Sequence, residues 1–319
     1  ITFILVLKSC GNIGSLEIGE EIRKEVCRRE GLLQEKDIDI ALRTALVDMY
    51  AKFGLLRKAQ GMFNEIPVPN LASWTALMAG YAQFGEAQMV SVLFRQLTVQ
   101  GVLPDSVTFL VLLSACSHRG LLDEGQIIFN DMCSIYSITP TYEHYNCMVD
   151  LFGRVGHFEK AIVMIEKIPY VDRLQLWLTL LSACRKWVNV ELGRWAFDQS
   201  IELDEKCGVA YVTMGNVYAN AGLHKEMDEI EGLRVKNKAW KVSEPCSWTD
   251  LHGYVHIFGI QEKDPILSEH VYDKLEDIRQ KLLDVGYSPC LHWVLEAVSY
   301  EDKNEYMLCG HSEMLAISC

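Results

Sequence analysis

The sequence predicts a mainly α-helical protein in which helix-turn-helix units stack as a solenoid, and two observations support this. From Leu71 to Asp105, apolar residues recur at helical spacing in two runs, with a turn at Gly85 between them and a stop at Gly101 and Pro104. This stretch is therefore expected to form one helical hairpin. The same order of helical run, turn glycine and second helical run recurs along the chain. Such regular recurrence is typical of stacked helical repeats.

The repeated hairpins share a glycine at the turn and, eight residues before it, an aliphatic residue or a methionine. The turn positions are Gly14, Gly54, Gly85, Gly120, Gly156 and Gly222, with Val188 where a seventh glycine is expected. The apolar column before them consists of Val6, Leu46, Leu77, Leu112, Met148, Leu180 and Met214. Seven hairpins in register predict that each unit buries its apolar face against its neighbours.

The repeats divide where each first helix is expected to begin. The units are a long one at 1–39, a short one at 40–70, a complete one at 71–105, a second long one at 106–141 and a second short one at 142–173. The chain begins at Ile1, inside a hairpin and without a methionine. We therefore expect a natural N-terminal part, with any targeting peptide, to precede it.

Composition restricts the partners that the chain can bind. The 319 residues carry a net charge of -13, and the 11 cysteines form no CxxC pair. This acidity argues against DNA, and against RNA binding by bulk electrostatics, because phosphate contacts normally need a basic surface. No apolar run approaches the ~20 residues of a membrane span. Cysteines within the repeats are expected to be packed and reduced.

Long motifs carry a resemblance to a known family. VDMYAKFG, SWTALMAGYAQFG, TFLVLLSACSHRGLLDEG and HYNCMVDLFGRVG resemble repeats of plant pentatricopeptide-repeat (PPR) proteins of the PLS class. Residues 174–241, with LLSACRKWVNVELG and YVTMGNVYANAG, are similar to the E1 and E2 extension motifs of that class, which resemble tetratricopeptide repeats. In residues 242–319, EPCSWTDLHGYVHIF and LCGHSEMLA resemble the DYW deaminase domain. The resemblance implies a right-handed α-solenoid followed by an incomplete α/β cytidine-deaminase-like domain.

In the family, each repeat binds one base of single-stranded RNA through the fifth residue of its first helix and the last residue of the repeat. By resemblance the pairs are Thr44 with Asn70, Thr75 with Asp105, and Asn146 with Arg173. The acceptor-only Asp105 suits guanine, and the amide of Asn70 suits adenine. A polar residue at a helix start is also explained as an N-cap. Lys52 and Arg154 share one column and could neutralise phosphates, or simply be solvated.

The segment His311-Ser312-Glu313 resembles the H-x-E half of zinc-dependent nucleobase deaminases. The resemblance implies that His311 binds zinc and that Glu313 transfers protons while zinc-activated water attacks C4 of cytosine. The PCxxC half, which supplies two thiolates in the family, is not in the sequence, and catalytic zinc needs three protein ligands. We therefore expect zinc and deamination only if that half is supplied, for example by a deaminase in trans. Alternation in DLHGYVHIF predicts a strand, on which His252 and His256 stand too far apart to share a metal.

The resemblance implies a targeting factor for C-to-U editing of organellar RNA, in a mitochondrion or a chloroplast, with editing-complex proteins as further partners. Whether this chain is itself an enzyme stays open. One alternative is a protein that binds RNA only for splicing or stability, or that cleaves it. Another is a helical scaffold for other proteins, although the W-x2-L-G-x2-Y pattern of tetratricopeptide repeats does not occur in the sequence.

Overall fold

The computed structural model describes residues 2–30, 36–239, 246–251 and 254–259, with four positions between 277 and 284. Within this part of the chain fourteen α-helices follow one another, the number that seven hairpins require. The chain divides into two compact units, Ile1–Ala183 and Cys184–Cys319, called here the N-terminal and C-terminal units. Among the described residues, no helix combines the length and the apolar character needed to cross a membrane.

The helices and strands follow one another in pairs along the chain. They are α1 (Thr2–Ile13), α2 (Leu16–Glu30), α3 (Lys36–Lys52), α4 (Leu56–Asn64), α5 (Leu71–Gln83), α6 (Ala87–Val99), α7 (Ser106–Arg119), α8 (Leu122–Ser134), α9 (Tyr142–Arg154), α10 (Phe158–Glu166), α11 (Leu174–Trp187), α12 (Val190–Leu203), α13 (Gly208–Asn220), α14 (His224–Lys236), β1 (Cys246–Leu251) and β2 (Tyr254–Gly259). A short 3-10 helix, Tyr170–Asp172, precedes α11.

Each hairpin turns at a residue with positive φ, a conformation that glycine adopts without steric cost. All six predicted turn glycines have it, with φ between 68° at Gly120 and 85° at Gly14. Val188 has a φ of 53°, so a β-branched residue occupies the conformation that the other turns give to glycine. The turn at the position without a glycine therefore lies where the period predicts it.

In the N-terminal unit, the first helices of successive hairpins pack side by side in the order α1, α3, α5, α7 and α9. Each second helix from α2 to α8 packs on its own partner and on the first helix of the next hairpin. At Gly80 the first helices approach so closely that an added Cβ would lie 2.5 Å from the Cβ of Ala51. This stacking is the solenoid arrangement that the repeats predict.

The predicted apolar column is buried with one exception. Its members at Leu46, Leu77, Leu112, Met148, Leu180 and Met214 are all buried. The prediction is wrong at Val6, which is 37% exposed, whereas Leu7 beside it is buried. Leu7 and Cys10 form the i, i+3 pair that α1 buries, so its packed face is turned by one residue.

In the C-terminal unit, α12 packs on α13 and α13 on α14, and β1 pairs with β2 as an antiparallel hairpin. The strand predicted from alternation is confirmed for Tyr254–Gly259, in which His256 is paired with Thr249. His252 lies outside the described residues. Residues 285–319, with most of the deaminase-like region, are also outside them, so that domain stays a prediction.

Candidate nucleic-acid interface

The first helices of the N-terminal unit run parallel, which aligns equivalent residues of successive repeats. At one end, Nε2 of His144 in the first turn of α9 donates to the carbonyl of Ser106, the first residue of α7, at 2.9 Å. The Nδ1 atom accepts from the main-chain N–H of Thr141, which fixes this tautomer. Toward the other end, Ser117 of α7 donates to Asp150 of α9. Such alignment is what reading consecutive bases requires.

Thr44 and Asn70, the predicted pair of the second repeat, are linked through a buried serine. The Oγ1 atom of Thr44 lies 2.7 Å from Oγ of Ser73, and Ser73 Oγ donates to Oδ1 of Asn70 at 3.0 Å. The main-chain N–H of Ser73 donates to the same Oδ1, so Asn70 is the N-cap of α5. The structure therefore brings this pair together.

Thr75 and Asp105, the pair of the third repeat, are held separately. Thr75 Oγ1 donates to the carbonyl of Leu71, one turn earlier in α5, at 2.9 Å. Asp105 is the N-cap of α7: its Oδ1 accepts from the main-chain N–H and from the hydroxyl of Thr108 at 2.9 and 2.8 Å. The main-chain N–H of Asp105 donates to the Thr108 hydroxyl, which completes a capping box. No hydrogen bond joins Thr75 to Asp105 among the described residues.

Asn146 and Arg173, the pair of the fifth repeat, have different surroundings. Arg173 donates from Nε to the carbonyl of Ile168 and from Nη2 to that of Glu166, at 2.6 and 2.9 Å. Its guanidinium therefore binds carbonyl groups at the end of α10. Asn146 instead accepts a hydrogen bond at Oδ1 from the hydroxyl of Thr179 in α11, at 2.8 Å.

A polar groove runs across the exposed faces of α7, α9 and α11 within the N-terminal unit. It encloses about 290 Å³. Every lining side chain carries a hydroxyl, amide, imidazole, thiol or carboxylate group; they are Ser114, Ser117, His118, Asn146, Cys147, Asp150, Thr179 and Ser182. Such a surface offers hydrogen bonds to base edges without a strong field of either sign.

The two basic residues that could neutralise phosphates are paired with carboxylates. Lys52 lies 3.0 Å from Asp48, and Arg154 lies 2.7 Å from Asp150, each four residues earlier on the same helix. Exposed pairs of this type are weak, so a phosphate can compete for the cation. The paired acids nevertheless lower the net positive charge around these two cations.

The cysteines of this region are poor nucleophiles and poor metal ligands. Burial raises the pKa of the Cys147 thiol to about 12, with the nearby Asp150 charge adding to the shift, and burial raises the pKa of Cys116 to about 11. Thiols with such pKa values stay protonated at neutral pH. No cluster of three potential metal-binding side chains occurs in the described part of the chain. The predicted zinc ligand His311 and the predicted proton carrier Glu313 lie outside that part.

The sequence did not single out Ser73, Thr108 or Thr179, although each contacts a predicted base-reading residue. Ser73 and Thr108 are fully buried at the third position of their helices, where the fifth repeat has His144. The sequence signal available for Ser73 and Thr108 was a polar residue at this same position of each repeat, among apolar neighbours. For Thr179 there was no comparable signal, because its partner lies on another helix.

Comparison with known proteins finds pentatricopeptide repeats and an E motif in this chain. A model described as PPR repeat family matches residues 69–118, a PPR repeat model matches residues 43–68, 107–135 and 143–169, and an E motif model matches residues 187–250. The crystal structure of the pentatricopeptide repeat protein PPR10 from maize superposes with a TM-score of 0.56 at 20% identity, over 74% of this chain and 34% of that one. That likeness concerns the fold.

Sequence relatives agree with these matches. A chloroplastic pentatricopeptide repeat-containing protein of Arabidopsis thaliana is 36% identical over 100% of this chain and 42% of its own length. A mitochondrial one from the same plant is also 36% identical, over 100% of this chain and 47% of its own length. The chain spans between 35% and 51% of the length of the curated relatives that it matches.

Proposed function

We propose that this chain, which carries pentatricopeptide repeats and an E motif and whose homologues are pentatricopeptide repeat proteins, binds single-stranded RNA and reads one base per repeat. Repeats of this family are known to bind RNA in that manner. Parallel first helices support the proposal, because they align equivalent side chains for consecutive bases. The balanced charge of the exposed face favours recognition of base edges.

One observation carries the proposal. Asn70 and Asp105, the last residues of the second and third repeats, each use one polar side-chain atom as an N-cap and keep the other for a ligand. In Asn70, Oδ1 is committed to a main-chain N–H, so the amide must present Nδ2, a donor. In Asp105, Oδ1 is committed in the same way, so the carboxylate presents Oδ2, an acceptor. Neither Nδ2 of Asn70 nor Oδ2 of Asp105 has a hydrogen-bond partner within the described residues. The same cap thus presents opposite chemistry in successive repeats.

The third repeat suits guanine. The hydroxyl proton of Thr75 is donated to the Leu71 carbonyl, so Thr75 presents lone pairs, and Asp105 adds a second acceptor. Guanine has two adjacent donors, N1–H and N2–H, on its Watson–Crick edge, and the other three bases lack that pair. In the second repeat the donor of Asn70 suits a ring nitrogen that accepts, as N1 of adenine does. The pairing inferred from the family therefore has a physical basis in these contacts.

We further propose that the chain targets C-to-U editing in a mitochondrion or chloroplast. The E motif and the organellar relatives support this role. His311 and Glu313 would supply a zinc ligand and a proton carrier if the two thiolate ligands come from elsewhere. Loss of editing at the site beside the bound RNA in a plant that lacks the protein would support it; unchanged editing, with altered splicing or stability, would support an RNA factor without this role.

Selection from a random RNA pool with the purified chain tests base reading. We expect enrichment of adenine and guanine at two adjacent positions. The variant Thr75→Asn keeps Asp105 as an acceptor and adds an amide donor, which suits the N3–H and the carbonyls of uracil. Its preference should move from guanine toward uracil at that position alone. An unchanged preference would contradict the assignment, and failure to enrich any sequence with the unaltered chain would contradict sequence-specific binding.

A further inference from the structure

We propose that Thr179, which lies in α11 beyond the last matched repeat, positions the base-reading amide of Asn146. The inference rests on the proposed function and adds a specificity-determining residue to it. Thr179 Oγ1 lies 2.8 Å from Oδ1 of Asn146, and both side chains line the polar groove. The contact joins the first helix of the fifth repeat to the helix that follows that repeat.

The last position of the fifth repeat differs from that of the second and third repeats, because Arg173 does not cap the helix that follows. Asn70 and Asp105 cap the helix that follows their repeats and keep one polar atom for a base. Arg173, at the equivalent position, donates to two carbonyl oxygens at the end of α10. Two of its five N–H donors are therefore used by that helix end, which anchors the guanidinium there. Among the described residues, Thr179 is the side chain that is hydrogen-bonded to Asn146.

The direction of the hydrogen bond follows from counting protons. The hydroxyl of Thr179 has one proton and two acceptors in reach, Oδ1 of Asn146 and the carbonyl of Gln175 at 2.9 Å. The Gln175 carbonyl already accepts the helical main-chain N–H of Thr179. The Oδ1 atom of Asn146 has no other donor among the described residues. The proton therefore satisfies Oδ1, and Nδ2 of Asn146 is left to donate to the ligand.

This arrangement makes Asn146 a donor and thereby restricts the base beneath it. An unrestrained amide can rotate by half a turn and present either its oxygen or its NH2 group, so it discriminates poorly between donor and acceptor edges. Held by Thr179, it favours a base that offers a carbonyl oxygen or an unprotonated ring nitrogen. The residue that selects the base and the residue that orients it thus come from different hairpins.

The chain contains a matched control for this contact. Thr213 stands at the corresponding position of α13, equally far in sequence before its turn. Its hydroxyl donates to the carbonyl of Val209 at 2.8 Å, as the Thr179 hydroxyl can to Gln175, and no amide accepts from it within the described residues. Replacing either threonine by valine keeps the shape of the side chain and removes one hydroxyl. Only Thr179→Val removes a contact with a base-reading residue.

The test measures the affinity of the full chain for four RNAs that differ in one base, at the position read by the fifth repeat in the pool-selected sequence. We expect Thr179→Val to reduce the ratio between the best and worst base about tenfold, since the amide loses one oriented hydrogen bond. Ratios at the positions read by the second and third repeats should not change. Thr179→Ser should restore the ratio, and Thr213→Val should leave it unchanged.

Two results would overturn the inference. One is full discrimination at that position in Thr179→Val; the other is an equal loss in Thr213→Val, because the effect would then not come from Asn146. The melting temperature of each variant, compared with that of the unaltered chain, separates a loss of fold from a loss of specificity. Thr179→Ser and Thr213→Val serve as the comparison variants in this measurement. If the unaltered chain selects bases at the second and third repeats but not at the fifth, the inference fails while the proposed function stands.

Discussion

Replacing Asp105 by Asn exchanges an acceptor for a donor at one atom of the proposed RNA-binding face. In the present structure Oδ1 of Asp105 accepts from the main-chain N–H of Thr108 at 2.9 Å, while Oδ2 has no hydrogen-bond partner among the described residues. Asn70 shows what an amide does in the same place: its Oδ1 accepts from the main-chain N–H of Ser73 at 3.0 Å. We therefore expect Asp105→Asn to keep the cap and to present Nδ2 where Oδ2 was.

The effect on RNA binding should exceed the effect on folding. An amide donor facing N1–H of guanine leaves two donors opposed, and an unsatisfied buried polar group costs about 1–3 kcal/mol, or about 5- to 150-fold in affinity. Asn and Asp are nearly equal as N-caps. The lost charge at the start of α7 costs about 0.3–1 kcal/mol of stability. Preference should therefore pass from guanine to adenine in a protein that remains folded.

The measurement is the dissociation constant of the chain and of Asp105→Asn for two RNAs that carry guanine or adenine at the position read by the third repeat. The ratio of the two constants should invert. Ser106→Ala, one residue away on the same helix, serves as a control that leaves the cap intact. A ratio that stays the same in Asp105→Asn would refute the claim that the second, uncapped atom selects the base. A loss of binding to both RNAs with an unchanged melting temperature would refute it as well.

Two further predictions concern stability. Gly80→Ala should lower the free energy of unfolding by about 1–3 kcal/mol, because its Cβ would lie 2.5 Å from the Cβ of Ala51. Gly61→Ala, whose Cβ would have no heavy atom within 4 Å, should raise the free energy of unfolding by up to about 1 kcal/mol. Equal shifts of the urea midpoint in the two variants would contradict the packing at Gly80. A hydrogen bond from Lys58 lowers the pKa of Glu20 to about 2. The stability that Glu20 contributes is therefore present above the pKa it has in the unfolded chain, and it is lost as the pH falls toward 2. Glu20→Gln should destabilise the chain at about pH 6 and less at about pH 3, and a loss independent of pH would contradict the ion pair.

The repeat period made much of the fold predictable. A glycine at each turn and a column of apolar residues before it are local signals, and six of the seven column positions are buried where the period places them. Val188 adopts the turn conformation without being glycine, which the period predicts and residue type alone would not. The exception, Val6, lies in α1, where a shift of one residue buries Leu7 instead.

The interface was predictable only in outline. The N-cap interpretation of Asn70 and Asp105 and the base-reading interpretation looked like alternatives in the sequence. The structure shows that capping uses one atom of each side chain and leaves the second atom without a hydrogen-bond partner among the described residues, so the two roles are compatible. Lys52 and Arg154 were expected to face phosphates or solvent, and each is paired with an aspartate one turn earlier.

The sequence by itself determined the hairpins, their number and the column in which polar residues would line one face, because these depend on contacts within a few residues. It could not determine which of those polar groups retain an unused donor or acceptor. That depends on partners brought close by stacking, such as Ser73 beside Thr44 and Thr179 beside Asn146. A hydroxyl has one proton to donate, and only the tertiary structure shows which acceptor receives it.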